Sequence, residues 1–264
     1  MKIKHYLYNS FIIESGDKKI AIDPGALFLY YFRMTTLIPK SEWNGITHIF
    51  VTHGDPDHYW HTDRVAEASN AKVICNETMM RHVNGKPLML GPRSKGLAFT
   101  ADIKNVNALS VNQTIQLDDM TISGLKTEHG PLTLKIGPIK MTEYPGPEER
   151  VGWGSMGFKI ELNGSTIVNL GDTLLHLEDW QMIKNADVLM IPIGGREAHN
   201  TMDETEALQA VKELYPKVVI PCHYNLPAFF KKNYCAVDDI KFKQEVEKME
   251  IECRIMKNGD EIEV

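Results

Sequence analysis

The sequence has few cysteines, no long apolar run and no excess of positive charge. Four of its 264 residues are cysteines, and none lies in a Cys-x-x-Cys pair, which excludes a zinc knuckle and a thioredoxin motif. No apolar run approaches the roughly 20 residues of a membrane-spanning helix, so we expect no membrane span. The formal net charge of −6 argues against nucleic acid as a partner, because phosphate binding is usually driven by Lys and Arg.

The composition is that of an ordinary globular protein. Hydrophobic residues make up 43% of the chain and charged residues 24%, which suffices for a sizeable core. Residues 1–8 read as the start of an alternating strand and lack the pattern of a signal peptide. We therefore expect a reduced, cytoplasmic protein in which residues 1–264 form one domain.

The most informative stretch is residues 46–58, a β-branched apolar run that ends abruptly in four candidate metal ligands. These ligands are His53, Asp55, Asp57 and His58. Buried carboxylates without partners are costly, and carboxylates crowded against imidazoles stay unsatisfied unless a cation gathers them. The stretch therefore predicts half of a metal site.

Three further candidate ligands stand where apolar strands are predicted to end, at His129, Asp172 and His223. A single histidine at a strand end is more often a surface or hydrogen-bonded residue than a ligand. Strand ends that converge on one rim, however, commonly assemble a site from distant segments. Together with the four-ligand stretch, their joint placement favours the metal site.

Both halves of the chain run from hairpin strands into strand–helix units, which predicts two packed sheets with helices outside. Residues 2–14 and 18–23 are predicted strands, and Thr201 to Glu204 resembles a capping box for a helix over 202–214. Residues 137–154 are rich in Gly and Pro and predict an irregular insertion. The aromatic residues of 26–40 suit core packing, a lid over an apolar substrate, or an interface in a homo-oligomer.

This order of ligands resembles the metallo-β-lactamase fold superfamily. The signature His-x-His-x-Asp-His matches His53 to His58 except at one position, and the later His, Asp and His follow in the family's order. The flanks at 20–25, 157–160, 171–173 and 191–195 resemble the branch that includes ascorbate-6-phosphate lactonase and the N-acyl-phosphatidylethanolamine phospholipase D. The resemblance implies an α/β fold, a four-layer αββα sandwich with two mixed sheets packed face to face.

The resemblance also implies two divalent ions, of which zinc is the first expectation. One ion would be held by His53, Asp55 and His129 and the other by Asp57, His58 and His223, with Asp172 bridging them. A metal-bound hydroxide would then cleave a phosphoester, lactone or ester bond in a small molecule, including an anionic one. Asp57, His58 and Asp172 are thereby also catalytic candidates.

Asp55 is the departure from the family signature, which has His at this position. A carboxylate supplies a hard oxygen in place of an imidazole nitrogen, so manganese or iron becomes acceptable beside zinc. The alternative is that Asp55 does not reach the ion and only one metal binds. If Asp55 is a ligand, the sequence predicts that Asp55→His preserves or improves zinc binding.

Three other residues have two interpretations each. His199 is a candidate proton donor to a leaving group, or an exposed loop histidine. Asp23 is a candidate to orient a ligand imidazole, or simply part of the Asp23-Pro24-Gly25 turn. Cys222 is a thiol nucleophile or, as we favour, a buried strand-end residue.

Other function classes stay open on the sequence. A nucleic-acid phosphodiesterase on the same fold is disfavoured by the acidic balance. A non-catalytic metal- or ligand-sensing module is allowed by the departure at Asp55. Oxidative chemistry at two irons is known among such folds, but it normally accompanies a flavin domain, for which 264 residues leave no room.

Overall fold

The computed structural model describes residues 1–26, 36–81, 103–136, 139–145, 151–227 and 234–264. The chain forms two compact units. Unit 1 consists of Met1–Ser110, Pro145–Ser155 and Lys257–Val264, and unit 2 of Val111–Tyr144 and Met156–Met256. The assignment of residues 1–264 to a single domain stays a prediction.

Unit 1 is built on a seven-stranded mixed sheet in the order β16-β1-β2-β3-β4-β5-β6. Its strands are β1 Lys2–His5, β2 Phe11–Ser15, β3 Lys18–Ile22, β4 His48–Val51, β5 Lys72–Asn76, β6 Val106–Leu109 and β16 Glu261–Glu263. Its helices are α1 Pro56–Tyr59 and α2 Thr62–Ser69, with 3-10 turns at Lys40–Glu42 and Glu77–Arg81.

The parallel strands β3 and β4 end at the edge of this sheet where the ligand stretch of unit 1 begins. Ile22 of β3 pairs with Phe50 of β4, and every residue of β4 is buried. Because parallel strands end on the same side, the residues that follow β3 and β4 meet there. Those residues are Asp23 and the ligand stretch.

Unit 2 contains a second seven-stranded mixed sheet in the order β15-β14-β13-β12-β11-β8-β7, and a separate hairpin of β9 and β10. Its strands are β7 Thr114–Leu117, β8 Met120–Leu125, β9 Leu132–Ile136, β10 Ile139–Glu143, β11 Gly157–Leu162, β12 Ser165–Asn169, β13 Val188–Pro192, β14 Val218–Cys222 and β15 Glu252–Cys253. Its helices are α3 Gly195–Ala198, α4 Glu204–Leu214 and α5 Asp239–Glu247, with a 3-10 turn at Gln181–Ile183.

The parallel strands β12, β13 and β14 carry the functional loops of unit 2. Val188 of β13 pairs with Val218 of β14 and with Ile167 of β12. The chain that follows these three strands contains, in turn, Asp172, the 194–203 loop and His223.

Each unit has an apolar core against its own sheet. In unit 1 the core includes Ile12, Ile49, Val73 and Trp153. In unit 2 one face of α4, including Val211 and Leu214, packs with strand residues such as Val219 and Ile191. This burial, at about 25 cal/mol per Å² of apolar surface, is the main term that stabilises both sheets.

Two large mixed sheets with flanking helices confirm the predicted α/β class. Several boundaries were predicted wrongly. The strand predicted over 2–14 is two strands, because the chain turns at Tyr8, where φ is 60°. The insertion predicted over 137–154 begins inside a hairpin, since β9 and β10 pair antiparallel.

The N-cap of α4 lies two residues after the predicted position. Asp203, not Thr201, is the N-cap, and its carboxylate accepts hydrogen bonds from the backbone N–H groups of Thr205 and Glu206. Glu206 closes the capping box by accepting from the N–H of Asp203 at 3.0 Å. Thr and Asp are both favoured N-cap residues, so the sequence pattern alone does not separate Thr201 from Asp203.

Residues 27–35, which carry most of the aromatic segment, lie outside the described residues. In the part of the chain that the structure describes, no helix is both long and apolar enough to cross a membrane. All four cysteines are buried and none forms a disulfide.

Candidate active site

The ligand stretch of unit 1 turns directly from β4 into the short helix α1. Asp55 occupies the N-cap position of α1 and Pro56 the first helical position, where a missing N–H costs nothing. His53 and His58 are fully buried and their ring centroids lie 3.9 Å apart. The helix start therefore brings the side chains of the stretch together within one turn.

The Asp23 turn packs against this stretch so closely that position 25 must be glycine. A Cβ on Gly25 would lie 1.8 Å from the carbonyl oxygen of Asp57. The N–H of Ala26 donates to the carbonyl of Pro56 at 3.0 Å. The turn at the end of β3 thus fixes the backbone of the ligand stretch.

Asp23 is buried and accepts four hydrogen bonds. Its Oδ2 accepts from Nδ1 of His58 at 2.7 Å, from the Thr52 hydroxyl at 2.6 Å and from Nδ2 of Asn9 at 2.7 Å. Its Oδ1 accepts from the backbone N–H of Thr52 at 2.8 Å. Of the two interpretations of Asp23, the structure supports the one in which it orients an imidazole.

These contacts fix the tautomers of His53 and His58, the two histidines of the ligand stretch. An ionised carboxylate only accepts, so Nδ1 of His58 carries a proton and Nε2 keeps its lone pair. The hydroxyl proton of Thr52 is directed to Asp23, so its oxygen accepts from Nδ1 of His53 at 3.1 Å. Both imidazoles therefore present an Nε2 lone pair, the kind of atom that can bind a metal ion.

Each of these nitrogens lies beside a carboxylate oxygen. Nε2 of His53 is 3.7 Å from Oδ2 of Asp55, and Nε2 of His58 is 3.5 Å from Oδ2 of Asp57. Two ligand atoms bound about 2.0–2.2 Å from a tetrahedral zinc ion are about 3.3–3.6 Å apart. The observed spacings are close to that range and too long for strong hydrogen bonds.

In unit 2, Asp172 lies between two histidines. Its Oδ2 is 3.1 Å from Nε2 of His223 and 3.8 Å from Nε2 of His129. Nδ1 of His129 donates to the carbonyl of Gly130 at 2.6 Å, so this imidazole also keeps its lone pair on Nε2. All three side chains are almost completely buried.

Asn200 holds Asp172 in this arrangement. Its Nδ2 donates to Oδ2 of Asp172 at 2.9 Å, and its backbone carbonyl accepts from the N–H of Gly130 at 2.8 Å. Asn200 is therefore tied to the segments of both His129 and Asp172. The sequence did not single it out, because an asparagine in a loop has no distinguishing pattern.

The remaining candidates divide into exposed and inaccessible residues. His199 ends α3 with φ of 61° and its side chain is exposed. In the same segment, the exposed Arg196 forms an ion pair with the largely buried Glu204 at 3.2 Å. Cys222 is fully buried at the end of β14, which supports a structural role.

Within each unit the donor set suits a divalent cation. Imidazole nitrogens with defined lone pairs stand beside buried or partly buried carboxylates, the combination used by zinc and other first-row ions. The outer partners Asp23, Thr52 and Gly130 hold three of the rings by Nδ1, as commonly seen around metal-binding histidines.

The chain is similar in sequence to a known family. The family model described as "Beta-lactamase superfamily domain" matches residues 2–223. The chain belongs to this superfamily. The relative named "UPF0173 metal-dependent hydrolase" from Alkaliphilus metalliredigens is 30% identical over 226 residues, which cover 85% of this chain and 86% of that protein.

Solved structures show the same fold. A metallo hydrolase from Ignicoccus hospitalis aligns with a TM-score of 0.71 and 21% identity, covering 99% of this chain and 97% of that one. A metallo-beta-lactamase fold protein from Bacillus subtilis aligns with a TM-score of 0.64 and 16% identity, covering 99% of each chain. The predicted superfamily is thereby confirmed, and this member of it is a metal-dependent hydrolase. The closer resemblance to the lactonase branch stays a prediction.

Proposed function

We propose that this superfamily member hydrolyses a phosphoester, lactone or ester bond in a small molecule at a site with two metal ions. The observation that carries the proposal is the fixed tautomer of three imidazoles. Nδ1 of His53, His58 and His129 is hydrogen-bonded, so that Nε2 is the coordinating atom in each ring. A histidine used only for packing has no need of this arrangement.

The ligand assignment follows the family's order. We assign one ion to His53, Asp55 and His129, the second to Asp57, His58 and His223, and the bridging position to Asp172. Zinc is the first choice for both ions, and the carboxylate of Asp55 makes manganese or iron acceptable. Bound ions would supply an activated water and a Lewis acid.

The protein's own residues have positioning and proton-transfer roles in this proposal. Asp23 orients His58, and Asn200 orients Asp172. His199 is the proposed proton donor to the leaving group, which requires a side chain open to substrate. Its exposure and its place next to Asn200 support that role.

The substrate is proposed to be a small molecule. It can be anionic, because the metal ions would supply the positive charge that the acidic chain lacks. A nucleic-acid phosphodiesterase is disfavoured by the formal charge of −6. The cytoplasm is the proposed location, and the four buried cysteines without a disulfide agree with a reducing compartment.

The test is metal analysis coupled to a chelation-reversible activity screen. The purified protein should contain close to two equivalents of metal, and activity on a phosphodiester, phosphomonoester or lactone should vanish on chelation and return with zinc or manganese. His199→Ala should keep the metal and lower kcat about 100-fold or more. Less than one equivalent of metal and no turnover after reconstitution would instead favour a sensing module.

A further inference from the structure

The segment Val151–Ser155 contacts the ligand stretch through its backbone. The N–H of Gly152 donates to Oδ1 of Asp55 at 3.0 Å. The N–H of Gly54 donates to the carbonyl of Trp153 at 2.8 Å. The first of these hydrogen bonds holds Oδ1 of Asp55, while Oδ2 lies 3.7 Å from Nε2 of His53.

This segment is firmly anchored in unit 1. Trp153 is 2% exposed and lies in the apolar core, with its indole N–H directed to the carbonyl of Thr78 at 3.4 Å. Gly154 has φ of 65°, and a Cβ there would lie 2.5 Å from Cγ of Met79. The position of the Gly152 N–H is therefore set by packing and does not depend on Asp55 alone.

The fixed N–H restricts which side chain at position 55 can bind a metal ion. A carboxylate has two oxygens, so one can accept from Gly152 while the other coordinates. A neutral imidazole has a single acceptor nitrogen, which either accepts from Gly152 or binds the ion. A histidine that coordinates would direct no acceptor towards the Gly152 N–H.

We propose that Val151–Ser155 is a positioning segment that requires a carboxylate at position 55. This inference depends on the proposed function, because Asp55 must be a metal ligand for it to hold. It explains why the chain departs from the family signature at this position. It also reverses the expectation from sequence that Asp55→His preserves zinc binding.

The experiment compares Asp55→His and Asp55→Asn with the unchanged protein. Zinc and manganese affinities are measured by equilibrium dialysis, and amide hydrogen exchange over 151–155 is measured by mass spectrometry. In Asp55→His, the metal affinity of one site should fall about tenfold or more, the loss typical when hydrogen bonds that orient metal ligands are disturbed. In metal-free Asp55→Asn, exchange over 151–155 should stay slow, because the amide oxygen still accepts from Gly152.

Asp63→His, in the first turn of α2, is the matched control and should change neither affinity nor exchange over 151–155. The inference is overturned if Asp55→His binds zinc as tightly as the unchanged protein while exchange over 151–155 stays slow. Failure of the proposed function has a different signature, since the unchanged protein itself would then hold less than one equivalent of metal.

Discussion

At the scale of single residues, Asp23 contributes more to the site than its place in a turn indicates. It is 0% exposed, and its two oxygens accept four hydrogen bonds, including the one that fixes the His58 ring. A buried carboxylate is costly unless its lone pairs accept hydrogen bonds. Here the donors are Thr52, His58 and Asn9, which precedes β2. Asp23 therefore fixes the backbone at Thr52 and both the orientation and the tautomer of the His58 ring.

We expect Asp23→Asn to weaken metal binding about 10–100-fold. The amide has one acceptor oxygen, so its NH₂ group must face either the backbone N–H of Thr52 or the donors that Oδ2 now serves, which disturbs the contacts that orient the His58 ring. Competition with a chromophoric chelator measures the affinity. Hydrogen bonds to a charged group contribute about 1.5–3 kcal/mol, so urea unfolding should also show a loss of stability.

Asp187→Asn is the matched control for this change. Asp187 accepts from the backbone N–H of Thr166 at 2.7 Å and pairs with Lys217, and these contacts lower the pKa of its carboxyl. Its loss should leave metal affinity unchanged. An unchanged affinity in Asp23→Asn as well would show that Asp23 does not position His58.

At the scale of elements, a charged cluster joins β1 and β3 to the 3-10 turn at Lys40–Glu42. Oε1 of Glu42 accepts from Lys4 and Oε2 from Lys19, each at 2.8 Å. Burial raises the pKa of Glu42, but the two lysine hydrogen bonds outweigh burial and lower it from 4.5 to about 2. The cluster therefore stabilises this edge of unit 1 while Glu42 is ionised.

This shift predicts a pH-dependent stability. Because the folded pKa of Glu42 lies below its unfolded value, the contribution is complete above about pH 4.5 and is lost as the pH falls towards 2. With allowance for solvent screening, Glu42→Gln should lower the free energy of unfolding at pH 7 by about 1–2 kcal/mol. Urea titrations at pH 7 and pH 3 measure whether the difference in the free energy of unfolding between Glu42→Gln and the unchanged protein becomes smaller in acid.

The exposed Glu261 pairs with Lys2 and Lys4 and provides a control. Glu261→Gln should change stability much less, because surface ion pairs contribute little. An equal loss in both variants, or a loss in Glu42→Gln that does not narrow in acid, would contradict the role assigned to Glu42.

At the scale of the whole molecule, each unit has its own sheet and its own candidate metal ligands. The candidate ligands of unit 1 follow the parallel strand β4, and in unit 2 Asp172 and His223 follow the parallel strands β12 and β14. If the proposed ions bind the folded chain and not the unfolded one, they stabilise the fold by mass action.

We expect metal loading to raise the free energy of unfolding by about 2.7 kcal/mol when the free ion is at 100 times its Kd. Thermal unfolding in metal-free buffer and over a zinc series measures the effect. Asp172→Ala, which removes the proposed bridging carboxylate, should show a much smaller rise. A midpoint that does not depend on zinc in the unchanged protein would argue against tight binding to the folded state.

Local signals account for most of what was predicted correctly. The strand predicted over 18–23 is confirmed by β3, which pairs antiparallel with β2 across the short turn at Gly16-Asp17. The α5 helix and the strand β16 were not predicted, because their residues carry weak periodicity. Boundaries failed where a competing local pattern, such as Thr201 before Asp203, matched first.

The sequence by itself determined the superfamily and the order of the candidate ligands along the chain, because both depend on residue type and spacing. Only the tertiary structure decided which residues hold these side chains in place by hydrogen bonds. Asp23 lies 35 residues from His58, Asn200 lies 28 from Asp172, and Gly152 lies 97 from Asp55. Hydrogen bonds of about 3 Å between such distant residues depend on how strands and loops pack, which no local pattern encodes.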